Sequence, residues 1–204
     1  MPLLKKTGYY NNAKTSSITM TRQDLEQAAR VLRAGGIVAY PAESCFGLGC
    51  DPRNPRSLRN LARLKGRPWK MGMLLITDRR ERLTRYVDWP NTPHQQQIHN
   101  SWPGPVSWAL PARQGVSHWL TGNHSNIVVR VTAHPHARAL CQQMASALIS
   151  TSANRHGRPA ARSAAMVERE FGDQIDYILT GRIGAMTRPS EIRDAISGDI
   201  IRSA

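Results

Sequence analysis

Residues 21–40, TRQDLEQAARVLRAGGIVAY, contain the pattern that decides the fold class, a helix followed at once by a buried strand. Thr21 is a typical N-cap residue, and Asp24 stands three positions later, as in a capping box. Apolar residues then recur every three or four positions, which predicts one buried helix face. The residues of that face are Leu25, Ala28, Ala29 and Leu32. The pair Gly35-Gly36 ends the helix, and IVAY at 37–40 predicts a buried strand.

Outward from this unit, helices and apolar strands alternate along the chain. Segment 41–52, PAESCFGLGCDP, is rich in Gly and Pro and is interpreted as a loop, and Asn54-Pro55 opens the next helix. Further helices are expected at 135–146 and 161–171, and strands at 71–76, 106–110, 127–131, 147–150, 176–179, 191–194 and 199–202. This alternation predicts one α/β domain, a sheet flanked by helices, over residues 20–204. Residues 1–19 are polar, and we expect a mobile leader there.

The composition is that of an ordinary globular protein, with 204 residues, 40% hydrophobic and 21% charged. No apolar run approaches the roughly 20 residues that span a bilayer, so we expect no membrane association. The 3 cysteines lack a CxxC pair, and the 7 histidines lack an HExxH pattern. We therefore expect a reduced, cytoplasmic protein without a protein-held metal, and we exclude the membrane, fibrous and disulfide-rich secreted classes.

Positive charge is concentrated in the first half of the chain. Lys and Arg number 28 against 14 acidic residues, and residues 1–85 carry 17 of the bases but only 6 of the acids. Such an excess attracts polyanions, among them nucleotides, RNA and acidic lipid. The alternative, left open by the charge alone, is that the arginines serve only solubility.

Two pairs of polar residues have the chemistry of a phosphate site, although the chain has no GxxxxGK[ST] loop. Lys65 and Arg67 of LKGRP would point to one side of an extended segment, a compact charge beside a bidentate fork. Ser152 and Asn154 leave a predicted strand, where ligands of open α/β sheets collect. Each pair also has an ordinary interpretation, as cations at a helix C-terminus and as a Ser/Asn turn.

Arg130 stands inside the apolar strand IVVRV. An unpaired buried charge is costly, so we expect its guanidinium to meet a carboxylate, either internal or on a ligand.

Six landmarks in fixed order resemble the YrdC/TsaC-type threonylcarbamoyl-AMP synthases, in particular their short bacterial form. They are YPAESCFGLGCDP, LKGRP, WPGPVSWALPA, VVRVTAHP, STSAN with Gly157, and RPSEIRDAISG. Each is weak alone, but the ordered set covers the chain from about residue 22 to its end. The resemblance implies a single twisted, open, mixed α/β sheet of the YrdC/RibB-like kind, with a large basic cavity.

The resemblance also implies a reaction and its partners. L-threonine, bicarbonate or CO2, and ATP as substrate would give L-threonylcarbamoyladenylate and pyrophosphate, with Mg2+ assisting. The adenylate would then serve downstream tRNA threonylcarbamoyl-transfer proteins, which modify adenosine 37 to t6A.

By the same resemblance, catalysis and ATP binding fall to a tetrad, with one further arginine on the nucleotide. These residues are Lys65, Arg67, Ser152 and Asn154, then Arg202. Arg130 would pair with the threonine carboxylate, and Ser150 and Ser190 would contact threonine. Three departures are Ala42, where the family has Thr, Met71 before Gly72, and His156.

Two rival interpretations are weighed against the synthase. A non-catalytic RNA-binding protein, of a ribosome-maturation kind, would use the basic residues 53–67 and 79–85, but it leaves the two polar pairs unexplained. A carbamoyltransferase of the hydrogenase-maturation kind shares this domain but adds zinc-finger modules, and the chain lacks the Cys pairs for them.

Overall fold

The computed structural model describes residues 20–204, so the leader predicted at 1–19 lies outside the described residues. The helices are α1 (Arg22–Arg33), α2 (Pro55–Lys65), α3 (Gln95–Asn100), α4 (His118–Thr121), α5 (Pro135–Met144) and α6 (Ala164–Phe171). The strands are β1 (Val38–Pro41), β2 (Phe46–Gly49), β3 (Leu75–Thr77), β4 (Ser107–Pro111), β5 (Asn126–Val131), β6 (Leu148–Ile149), β7 (Thr151–Ser152), β8 (Tyr177–Ile178), β9 (Ile192–Asp194) and β10 (Ile200–Arg202). The α/β alternation is confirmed.

Hydrogen bonds divide the strands into two open sheets, ordered β7-β2-β1-β8 and β10-β9-β4-β5-β3-β6. Both are mixed: β1 runs parallel to β8 but antiparallel to β2, and β5 runs parallel to β3 but antiparallel to β4. The mixed α/β class is therefore confirmed, although the expected single sheet is two. Because β6 and β7 lie in different sheets, Ser150 between them marks the junction, where its amide donates to Leu74 O at 2.9 Å.

Helix α1 begins as its sequence predicts. Thr21 accepts from the Asp24 amide, and the Asp24 carboxylate accepts from the Thr21 amide, which completes the capping box. Ala28, Ala29 and Leu32 are fully buried in a cluster with α5 and β1. A second cluster, around Phe46 and Trp108, fills the space beside α2 and the six-stranded sheet.

The loop interpretation of residues 41–52 is wrong over Phe46–Gly49, which forms β2. Phe46 and Leu48 are fully buried, and a Cβ on Gly49 would lie 2.8 Å from the Tyr40 ring of β1. Glycine here thus permits close strand contact rather than a turn. The short helices α3 and α4 were also not predicted, because six and four residues carry too little periodicity.

Candidate active site

Lys65, the last residue of α2, joins the two predicted polar pairs. Its ammonium donates to Ser152 O at 2.5 Å and to Asn154 O at 2.6 Å, and it lies 3.3 Å from Asn154 Oδ1. Lys65 is 5% exposed, and burial, followed by the charge of Arg67, lowers its pKa to about 8. Helix α2 therefore places a buried cation against the turn that follows β7.

Ser152 and Asn154 are held by that turn. The Ser152 hydroxyl donates to Asn154 Oδ1 at 2.5 Å, and Asn154 Nδ2 donates to the carbonyls of Arg155 and Arg158, at 3.0 and 2.6 Å. The amide is thus fixed in one orientation while the Ser152 side chain stays exposed. The turn thus brings hydroxyl, amide and ammonium groups together, and all three are hydrogen-bond donors of the kind that phosphate oxygens accept from.

Arg67 lies near Lys65, but not for the reason that the sequence suggested. Gly66 adopts the left-handed conformation, with φ 62°, and caps α2, so residues 65–67 are not an extended segment. Arg67 Nε donates to Gly72 O at 3.1 Å, and burial and then the neighbouring Arg202 lower the pKa of Arg67. The charge of Arg67 is the second cause, after burial, of the lowered pKa of Lys65.

Arg202, on the C-terminal strand β10, contacts Ser190 and is influenced by the charge of Arg130. Its guanidinium donates to Ser190 O at 2.6 Å and lies 3.4 Å from the Ser190 hydroxyl. Partial burial, followed by the charge of Arg130, lowers the pKa of Arg202. Ser190 in turn lies 3.2 Å from the Ser107 hydroxyl on β4. The charge of Arg202 also contributes, after burial, to the lowered pKa of Arg67.

Arg130 on β5 meets an internal carboxylate. One guanidinium nitrogen pairs with Glu43 Oε2 at 3.0 Å, and Thr132 donates its hydroxyl to Glu43 Oε1 at 2.6 Å. The Nε of Arg130 is buried and has no hydrogen-bond partner among the described residues. The physical expectation of a carboxylate partner is confirmed, and Glu43 is a residue that the site prediction missed.

Ser150 lies between β6 and β7, at the junction of the two sheets. It is 6% exposed and adjoins the Tyr40 phenol, whose pKa is raised by burial against the opposing hydrogen bond from Ser150. Cys45 is half-buried, and its Sγ accepts from the Ser44 hydroxyl at 3.8 Å. Burial raises the pKa of its thiol, opposed by the Ser44 hydroxyl and then by the charges of Arg162, Lys65 and Arg130.

The three sequence departures take different positions. Ala42 is buried, at 7% exposure, whereas Met71 is exposed. His156 is exposed and donates its backbone amide to Lys65 O at 3.0 Å, so its backbone rather than its ring supports the site.

Two adjoining clefts of about 430 and 620 Å³ lie apart from these residues, and none of the predicted site residues lines them. Both are lined by Arg53, Thr84, Arg85 and Tyr86. Arg79 and Arg82 line the smaller cleft, and Arg113 the larger. Several of these charges are compensated, since Arg53 pairs with Asp51 and Arg82 with Asp78.

The family model named for Sua5, YciO and YrdC, described as telomere recombination, matches residues 30–204. The chain belongs to the Sua5/YciO/YrdC family. A relative named threonylcarbamoyl-AMP synthase, from Halorhodospira halophila, is 47% identical over 183 residues, covering 87% of this chain and 93% of the relative. Like that relative, this family member is an enzyme, and the predicted resemblance is confirmed.

Solved structures agree with the fold of this Sua5/YciO/YrdC member. P. abyssi Sua5 complexed with L-threonine has a TM-score of 0.78 at 27% identity, covering 83% of this chain and 50% of that one. The chain thus spans about half the length of that Sua5. E. coli YciO also has a TM-score of 0.78, at 23% identity, with 90% of each chain covered. Within residues 20–204, no helix is long and apolar enough to cross a membrane.

Proposed function

We propose that this chain converts L-threonine, bicarbonate or CO2, and ATP into L-threonylcarbamoyladenylate and pyrophosphate, the first step towards t6A at adenosine 37 of tRNA. The observation that carries the proposal is the contact of Lys65 Nζ with Ser152 O and Asn154 O. It joins two motifs 87 residues apart into one cationic site. The relatives named threonylcarbamoyl-AMP synthase support the same reaction.

The nucleotide is assigned to the end of the site that contains Lys65, Arg67, Ser152, Asn154 and Arg202. During adenylation, negative charge grows on the departing pyrophosphate, and fixed cations stabilise that charge without having to rearrange. Lys65 would act as a point charge, and Arg67 and Arg202 as bidentate forks. The basic cavity expected from the family resemblance would lie at these residues.

Mg2+ is proposed to arrive with ATP. In the described part of the chain, no group of three His, Cys, Asp or Glu side chains is placed to hold a metal ion. The Lys, Arg, Ser and Asn side chains of the site suit phosphate oxygens instead. Mg2+ is commonly held by substrate phosphates and water, and its role here would be to neutralise the transferring phosphates.

Threonine is assigned to the end of the site that contains Arg130, Ser150 and Ser190. The guanidinium of Arg130 would pair with the substrate carboxylate, and the two serine hydroxyls would bind its polar atoms. Ser190 suits this place because Arg202 donates to its carbonyl, which ties the threonine end of the site to the nucleotide end.

The reaction requires no nucleophilic side chain. The neutral threonine amine forms an N–C bond to CO2 and releases a proton, which gives a carbamate. A carbamate oxygen then forms a bond to the α-phosphorus of ATP while the bond to pyrophosphate breaks. Holding three reactants in contact supplies most of the rate, because positioning alone can lower a barrier by several kcal/mol.

The test is to incubate the purified protein with ATP, Mg2+, L-threonine and 13C-bicarbonate and to analyse the products by mass spectrometry. We expect an adenylate that carries both threonine and one 13C atom. An adenylate of threonine without the label, or no adenylate at all, would refute the proposal.

We further propose that the product passes to tRNA threonylcarbamoyl-transfer proteins in the cytoplasm, and that RNA is an additional ligand of the arginine-lined clefts. Arg85 supports RNA binding because no ion-pair partner for it is found within residues 20–204. The Arg113 guanidinium donates to Thr84 O at 2.9 Å and likewise has no carboxylate partner there. The double variant Arg85→Ala, Arg113→Ala should weaken RNA binding and reduce its salt dependence, with turnover unchanged.

A matched control removes the exposed Arg59 and Arg63 of α2 instead. Equal loss of RNA affinity in both double variants would show that general charge, and not the clefts, attracts RNA.

A further inference from the structure

The cations of the candidate active site would attract one charged group of threonine and repel the other. Four cations, here called the row, act on one another in sequence: the charge of Arg67 lowers the pKa of Lys65, that of Arg202 lowers the pKa of Arg67, and that of Arg130 lowers the pKa of Arg202. Free threonine carries a carboxylate, which suits that row, and also an ammonium, which the row repels. A site for the zwitterion therefore needs a carboxylate close to Arg130.

Glu43 is placed to meet that need. Within residues 20–204 it is the carboxylate that pairs with a member of the row, at 3.0 Å from Arg130, and its side chain keeps 12% of its surface exposed. Arg130 occupies one oxygen and the Thr132 hydroxyl the other. An ionised carboxylate has about four acceptor positions, so each oxygen can accept one more donor.

The backbone around Glu43 is fixed as firmly as its side chain. The amide of Gly184 donates to Ala42 O at 2.9 Å, and the amide of Met186 donates to Glu43 O at 3.2 Å. A Cβ on Gly184 would lie 2.5 Å from Glu43 O, so the segment around residue 184 packs directly on this turn. The position of the carboxylate is thus determined before any substrate arrives.

We propose that Glu43 binds the ammonium of the amino-acid substrate while Arg130 binds its carboxylate, so that the pair recognises an α-amino acid zwitterion. This inference rests on the proposed function, because it assumes threonine at the Arg130 end of the site. Carbamate formation replaces the ammonium by an anion, and the product is then drawn away from Glu43 towards the cations of the nucleotide end. Glu43 therefore favours the free amino acid over the carbamate.

The experiment compares two ligands that differ only in the ammonium. L-Threonine and (R)-3-hydroxybutyrate share the carboxylate, the hydroxyl and the methyl group, but the second has hydrogen in place of the ammonium. Dissociation constants are measured by ligand-detected NMR titration for the wild type, Glu43→Gln, Thr132→Val and the control Glu26→Gln. Glu26 pairs with Arg22 on the exposed face of α1, so its loss reports general charge effects.

Glu43→Gln should weaken threonine at least tenfold and change (R)-3-hydroxybutyrate by less than threefold. Thr132→Val keeps both charges and tests the inference should Glu43→Gln fail to fold. By loosening one carboxylate oxygen, it should weaken threonine about threefold and leave the hydroxy acid unchanged. Equal weakening of both ligands would overturn the inference and reduce Glu43 to a support for Arg130. Failure of the wild type to bind threonine would instead overturn the proposed function, and the inference with it.

Discussion

Replacing Lys65 by methionine separates the function of this residue from its part in folding. Methionine has a similar length and fills the buried space, but it carries no charge and no donor. The change leaves Ser152 O and Asn154 O without their ammonium partner. Lys70 is exposed on the neighbouring segment, so Lys70→Met is the matched control.

Two opposing contributions decide the effect on stability. Burial, followed by the charge of Arg67, lowers the pKa of Lys65 from 10.5 to about 8. This shift corresponds to a free-energy cost of roughly 3 kcal/mol for keeping the side chain charged in the folded protein at neutral pH. The neutral methionine side chain does not carry that cost. Each carbonyl left without a donor costs about 1–3 kcal/mol. The contributions largely offset, so we expect the free energy of unfolding to fall by less than about 3 kcal/mol.

The effect of Lys65→Met on the rate of catalysis, unlike its effect on stability, has no offsetting contribution. Removal of one preorganised group that stabilises transition-state charge commonly costs 10²- to 10³-fold in rate. Pyrophosphate release in the presence of all substrates should therefore fall at least about 100-fold in Lys65→Met and stay within twofold of wild type in Lys70→Met. Urea unfolding of the same samples gives the stability. Turnover in Lys65→Met within tenfold of wild type, with the fold intact, would refute the assignment of Lys65 to the phosphates.

The other predictions concern neighbouring residues. Arg67→Ala and Asn154→Ala should each abolish ATP-dependent turnover; turnover as in wild type in both would show that the tetrad is misplaced. Arg67→Ala should cost little stability, whereas Asn154→Ala should also lower the free energy of unfolding, because Arg155 O and Arg158 O lose their donor. Arg130→Ala should raise the KM for threonine at least tenfold and the KM for ATP far less, and a shift in the ATP value alone would mean that the carboxylate binds elsewhere. Turnover should fall as pH rises through about 8, because Lys65 then loses its proton. In the unfolded chain Lys65 keeps its proton up to about pH 10.5. Between about pH 8 and 10.5 the unfolded state therefore binds more protons, and the free energy of unfolding of wild type should rise relative to that of Lys65→Met. A stability difference that does not change with pH would contradict the lowered pKa. Gly184→Ala should lower the unfolding midpoint, since its Cβ would lie 2.5 Å from Glu43 O.

The sequence was sufficient for the parts of the fold that depend on local patterns. The capping box at Thr21 and the apolar face of α1 formed as predicted because both act within four residues. The strand β2 was missed because its two glycines imitate a turn, whereas their function is to let Phe46–Gly49 pack against Tyr40. That packing is a contact between strands, and a single-sequence pattern does not contain it.

In the candidate site, too, local features could be predicted from the sequence, whereas contacts between distant residues could not. The cost of burying Arg130 predicted a carboxylate partner but could not choose between an internal one and a ligand, and Glu43 is 87 residues away in sequence. The acidic residue of YPAES, in the first landmark, was the signal that could have identified it. The extended segment predicted at residues 65–67 is wrong, because Gly66 is left-handed and caps α2, and a single-sequence pattern did not reveal that turn.

Pyrophosphate release from the purified wild-type protein, with ATP and Mg2+ present and threonine or bicarbonate omitted in turn, decides whether the chain makes threonylcarbamoyladenylate. We expect rapid release only when threonine and bicarbonate are both supplied. Release that continues without threonine, or no release with all substrates present, would contradict this expectation.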